Sequence, residues 1–195
     1  GDLEIDIKLL DSYGLSTNNI RQFYRDARSV FSGNPDADFT NTRIIESARE
    51  HHLPLMGGPM LGKLSKNEVS LWLRPATSDP LVVKVTESGG SDEKTYPKNS
   101  VKPGVEQRIV LDGLSSDTDY KYAVYAKNRR IAEGEFTTAP ANGNKGLFRL
   151  TFGSCFHKIG LHNPNLINQI LKRNPQAMML LGDLAVDDRD DRINM

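Results

Sequence analysis

Leu147-Phe-Arg-Leu-Thr-Phe-Gly-Ser-Cys155-Phe-His157 and, one helix-like stretch later, Met178-Met-Leu-Leu-Gly182-Asp183 decide how this chain is read. Each is an apolar run of strand length that passes through small residues to a side chain able to bind metal. Parallel strands deliver ligands in this way at their carboxyl ends. Between the two runs, Asn163 reads as a helix cap with Pro164 at the first helical position. Leu166, Ile167, Ile170 and Leu171 give the apolar face, and Asn174-Pro175 is the stop. The segment is expected to be a β-α-β unit, whose crossover makes its two strands parallel. Cys155 as thiolate, His157 as imidazole and Asp183 as carboxylate suit a small transition metal, and the carboxylate can bridge to a second ion. A plainer reading stays open beside it: a cysteine at a strand end is commonly packing, and Leu-Gly-Asp ends many ordinary α/β strands.

Working outward, Thr137-Thr-Ala-Pro-Ala-Asn-Gly-Asn-Lys-Gly146 is small, polar and marked by Gly and Pro, the composition of a linker or exposed crossing. Before it, short β runs alternate with turn residues: Val69 to Leu73, Leu81 to Val85, Gln107 to Leu111, Tyr120 to Tyr125 and Glu135 to Thr138. Strands at this spacing predict an antiparallel sandwich. Trp72 is the natural core or inter-sheet residue, although its alternation with Leu71 and Leu73 leaves the buried face ambiguous. Residues 1–56 read as helical. Ile20, Phe23, Tyr24, Ala27, Val30 and Phe31 recur at the spacing of one helix face, with Ser16 or Thr17 as cap. Asn41 or Thr42 starts a second helix that ends at Pro54. His51 and His52 are adjacent and diverge on a helix, so they fit a helix end better than a metal pair.

Composition narrows the functional classes. Lys+Arg and Asp+Glu both total 25 and cancel, which removes any global electrostatic case for nucleic acid or an anionic membrane. No run approaches the roughly 18 apolar residues needed to span a bilayer, and the N-terminus lacks the basic-then-apolar pattern of a signal peptide. Gly1 in place of an initiator Met reads as a processed or engineered start. The expectation is therefore an exported protein, periplasmic, cell-surface or extracellular, whose signal is not in this chain. A single cysteine excludes an internal disulfide.

Gly58-Pro-Met-Leu-Gly-Lys-Leu-Ser-Lys-Asn-Glu-Val-Ser-Leu-Trp-Leu-Arg-Pro75 resembles the opening strand of the N-terminal domain of the alkaline phosphatase D (PhoD-like) family. Four further pieces keep the family order. They are the leucine and tyrosine turn over Leu111 to Val124, Gly134-Glu-Phe-Thr-Thr-Ala-Pro140, Phe152-Gly-Ser-Cys155 and Leu180-Leu-Gly-Asp183. The resemblance covers about residues 57 to 186. It implies an α+β multidomain chain: an N-terminal helical extension (1–56), a fibronectin type III-like β-sandwich (57–140) and a truncated α/β metallophosphoesterase core of calcineurin-like type (147–195). Tyr120 would brace the turn before its strand.

The implied activity is hydrolysis of phosphate monoesters or diesters, with iron or another transition metal beside a second divalent ion such as calcium. Cys155 carries over as a ligand of the first metal and Asp183 as the bridging carboxylate. Many members place a Tyr three residues after that Asp, and here Val186 stands there and cannot coordinate. Other calcineurin-like enzymes take a first-metal ligand two residues after the first, and His157 has that spacing. Its other reading is a loop histidine that touches only substrate or solvent. Asp187, within the run Asp187-Asp-Arg-Asp-Asp191, is a lesser candidate for the second metal; such a run is ordinarily a solvated turn. On this reading, with later ligands expected beyond Met195, the fragment alone is inactive. The rival class is a secreted fibronectin-like binding module without catalysis.

Overall fold

The computed structural model describes residues 17–143, 147–154 and 164–181. They fall into two compact units: one spans Asp38–Asn144, and the other gathers the described residues on either side of it. The structure is mostly β-sheet with few helices.

In the central unit seven strands form two antiparallel sheets. Leu55–Gly62 (β1), Val69–Pro75 (β2) and Gln107–Leu111 (β5) make one, in the order β1-β2-β5. Leu81–Glu87 (β3), Glu93–Lys98 (β4), Asp119–Ala126 (β6) and Arg129–Thr137 (β7) make the other, in the order β4-β3-β6-β7. Strict alternation explains the layering. Val69, Leu71, Leu73, Ile109 and Leu111 from the first sheet and Leu81, Val83, Val85, Tyr120, Tyr122 and Val124 from the second belong to one buried cluster. Two inner faces meeting over a shared core is the β-sandwich solution for half-apolar strands.

The alternation also settles Trp72. It lies half-buried on the outer face with Arg74, because Leu71 and Leu73 take the core, so the expectation of a core tryptophan is corrected. Two strands went unread in the sequence. β1 is broken by Gly57, Gly58 and Pro59, with register shifts on either side of Gly57. β4, Glu-Lys-Thr-Tyr-Pro-Lys, is mostly polar, as an edge strand beside only β3 can be.

Tyr120 braces its turn as expected: its hydroxyl accepts a hydrogen bond from the Ser115 N–H at 2.9 Å. Its ring lies 5.5 Å from that of Phe136. This is the tyrosine-corner arrangement of sandwich folds. Two further tethers close the side of the sandwich next to β4. Tyr96 Oη donates to the Asp112 carbonyl at 2.6 Å, and Lys94 Nζ donates to the Gly113 carbonyl.

Thr42–Glu50 (α2) belongs to the same unit. Asn41 caps it, its side chain accepting from the Arg43 N–H at 3.0 Å. Its end is a Schellman turn: His52 N–H reaches Arg49 O at 3.0 Å and Leu53 N–H reaches Ala48 O at 2.8 Å. His52 sits in the left-handed region, φ 58°, where glycine is usual. Helix and sandwich are fastened by Arg49 Nε donating to Ala76 O at 3.2 Å, and by Gly104, whose absent Cβ would lie 2.0 Å from Phe39 O.

In the other unit Asn18–Gly33 (α1) carries the expected apolar face, with Ala27 buried and Ser29 and Ser32 exposed. Leu150–Gly153 (β8), Pro164–Lys172 (α3) and Ala177–Leu180 (β9) realise the β-α-β reading: β8 and β9 are parallel. Asn174, at φ 45°, ends the helix side and precedes Pro175.

Candidate functional site

The two parallel strands finish side by side. Leu150 pairs with Ala177 and Gly153 with Leu180, and beyond that last pair the Leu181 N–H still reaches Gly153 O at 2.9 Å. The opposite ends are also locked, by Gln176 N–H to Arg149 O at 3.0 Å and Arg149 N–H to Gln176 Oε1 at 2.7 Å. The register thus fixes two neighbouring points, Ser154 and Leu181, at which the described strand segments stop. Cys155 and His157 follow the first point, and Asp183 and Asp187 the second. All four lie outside the described residues, so the strands are placed and the ligands are not.

Among the described residues no group of three His, Cys, Asp or Glu side chains stands ready for a metal ion. His51 and His52 are the helix end that their spacing indicated, with His51 N–H bonded to Ser47 O at 2.9 Å. No described helix is long and apolar enough to cross a membrane. The catalytic core itself is not shown.

A polar cluster that sequence reasoning did not single out lies on the outer face of β2 and β5. Trp72 Nε1 donates to Glu106 Oε2 at 3.0 Å, and Arg108 Nη2 pairs with Glu106 Oε1 at 3.3 Å. The Trp72 hydrogen bond holds the Glu106 carboxyl below the usual carboxylate range. Arg74 stacks between two rings, its Cζ 4.3 Å from the Phe39 centroid and 5.4 Å from that of Trp72. The arrangement pins the segment at Phe39 to the sheet by cation–π attraction. The period of two was its signal, since it puts Trp72 and Arg74 on one face.

No protein-family model matches the chain, and a comparison with curated proteins finds no match. Among solved structures the chain is similar to PhoD, at 18% identity over 63% of this chain with a TM-score of 0.46. It spans only 26% of that PhoD chain. It is also similar to an FN3 domain of human collagen XX, at 19% identity over 40% of this chain and 84% of that one, TM-score 0.33. The central fibronectin III array of RIM-binding protein is similar at 26% identity over 44% of this chain and 32% of that one, TM-score 0.33. At these scores the sandwich assignment rests on the chain's own strand order, shared core and tyrosine corner.

Proposed function

We propose that this chain contributes to a PhoD-like phosphoesterase, with residues 57–140 as a fibronectin type III-like sandwich, 1–56 as a helical extension and 147–195 as the start of the calcineurin-like catalytic domain. The observation that carries the reading is the parallel β8-α3-β9 unit, whose strands end in register just before Cys155 and Asp183. Loops leaving neighbouring strand ends are where α/β folds assemble sites.

In this reading Cys155 and His157 would hold a transition ion, Asp183 would be shared with a second divalent ion, and Asp187 would assist the latter. Bound there, the pair of ions supplies charge for a phosphoryl oxygen and lowers the pKa of a water to make it a nucleophile. Asp183 would supply negative charge shared by the two cations, and Cys155 would supply a thiolate that offsets the charge of one of them. The substrate class is a phosphate monoester or diester. Export of the protein belongs to the same proposal.

Protein made from the complete coding sequence tests it. Stoichiometric metal and hydrolysis of p-nitrophenyl phosphate or its bis-ester are expected, and Asp183→Ala should lower turnover at least about a hundredfold while the sandwich stays folded. Wild-type turnover in folded Asp183→Ala would remove the residue's role.

The second reading is a fibronectin-like binding module without catalysis. Its support is that, among the described residues, the large shared core lies in the sandwich. A folded, metal-free protein without esterase activity would select it.

A further inference from the structure

We propose that Asn142, the one asparagine of the sequence followed by glycine, is a site of spontaneous deamidation that the fold leaves exposed. Asn142 and Gly143 form an exposed turn at the end of the Asp38–Asn144 unit, in the stretch that leads to the strands of the candidate site. No hydrogen bond among the described residues holds the Asn142 side-chain amide. Gly143 has φ 89° and nothing within 4 Å of where a Cβ would be, so no neighbouring group crowds the turn at its Cα.

The chemistry needs only water and base. Base removes the proton from the Gly143 amide nitrogen, which attacks the Asn142 side-chain carbonyl carbon to form a new C–N bond. The bond from that carbon to the side-chain nitrogen breaks, and ammonia leaves after taking up a proton. Water then opens the five-membered imide at either carbonyl, giving aspartate or isoaspartate. A following glycine favours the step because no side chain blocks the approach and its backbone turns freely. The product carries one carboxylate in place of a neutral amide, so the formal net charge falls from 0 to −1. The isoaspartate form also adds one backbone bond to the segment between the two units.

Asp112–Gly113 differs from this pair in two ways: its carboxylate is a poorer electrophile than a carboxamide, and its turn is held. It has the same following glycine, but the Asp112 carbonyl accepts from Tyr96 Oη at 2.6 Å and the Gly113 carbonyl accepts from Lys94 Nζ. A turn clamped at both carbonyls resists the rotation that the ring closure requires. Asn67 is likewise engaged, its Oδ1 accepting from Ser65 Oγ at 3.3 Å.

The experiment incubates the full chain for days at body temperature, at mildly acidic and mildly alkaline pH, and follows it by peptide mass mapping with an isoaspartate readout. Conversion is expected at residue 142 first, faster at alkaline pH, with isoaspartate at residue 112 scarce. Gly143→Ala should slow conversion at least about tenfold. Asn142→Gln, whose ring closure is less favourable, should abolish the acidic species on isoelectric focusing without altering the fold. Conversion at 142 in the folded chain no faster than at Asn67 or Asn99 would overturn the proposal.

Discussion

Two tyrosines on one strand, two residues apart and both buried, are held differently. Tyr120 accepts from Ser115 N–H, whereas the Tyr122 hydroxyl lies over Gly134, where a Cβ would come within 2.6 Å of it. Tyr120→Phe keeps the stack on Phe136 and strands a backbone donor, so it should cost about 1–3 kcal/mol in urea unfolding. Tyr122→Phe removes a hydroxyl with no hydrogen bond among the described residues and should change stability by less than about 1 kcal/mol. Equal costs would mean that the corner hydrogen bond contributes nothing. The same reasoning by single contacts applies at His157. If it stands in for the tyrosine that Val186 displaces, His157→Ala should lower occupancy of the first metal at least about tenfold, and the iron form should lack a tyrosinate colour. Unchanged metal content would assign the ligand elsewhere.

Elements with a strong period were legible, and those without one were not. The seam of Val69, Leu71 and Leu73 gave β2, the apolar face from Ile20 to Phe31 gave α1, and Asn174-Pro175 marked the stop after α3. β1 escaped because its glycines and proline look like turn residues, and β4 because an edge strand needs little apolar content. The close of α2 was half-read: His51 and His52 were placed at a helix end, but not in the left-handed position. That position makes a prediction. His52 lacks glycine's freedom at φ 58°, so His52→Gly should stabilise the sandwich unit by roughly 0.5–1 kcal/mol while leaving the Leu53 to Ala48 hydrogen bond in place. A lower unfolding midpoint would show that the imidazole contributes more there than its backbone costs.

For the molecule as a whole, the sequence reached the strand ends of the candidate site and stopped there, because the stretches that carry the candidate ligands have no apolar period to read. Global electrostatics is better defined. Asp79 is held below its usual range chiefly by its bond with Lys127, 2.9 Å away, and Glu106 chiefly by Trp72. Burial pushes the Tyr96 and Tyr122 phenols up. On the acid side the unfolded chain takes up protons on these carboxyls before the folded one does, so their stabilisation is present above the unfolded values near pH 4 and is lost as pH falls through the folded values. On the alkaline side the unfolded chain releases tyrosine protons first. The folded state then holds more protons, and stability falls as pH rises past about 10. Urea midpoints against pH should therefore form a plateau with two shoulders. Replacing Asp79 by Asn and Glu106 by Gln should flatten the acid shoulder and leave the alkaline one unchanged, because Tyr96 and Tyr122, raised by burial, and Lys84, raised by its bond with Glu93, owe this to neither carboxyl. An acid shoulder as steep as before would place the titrating groups elsewhere in the chain.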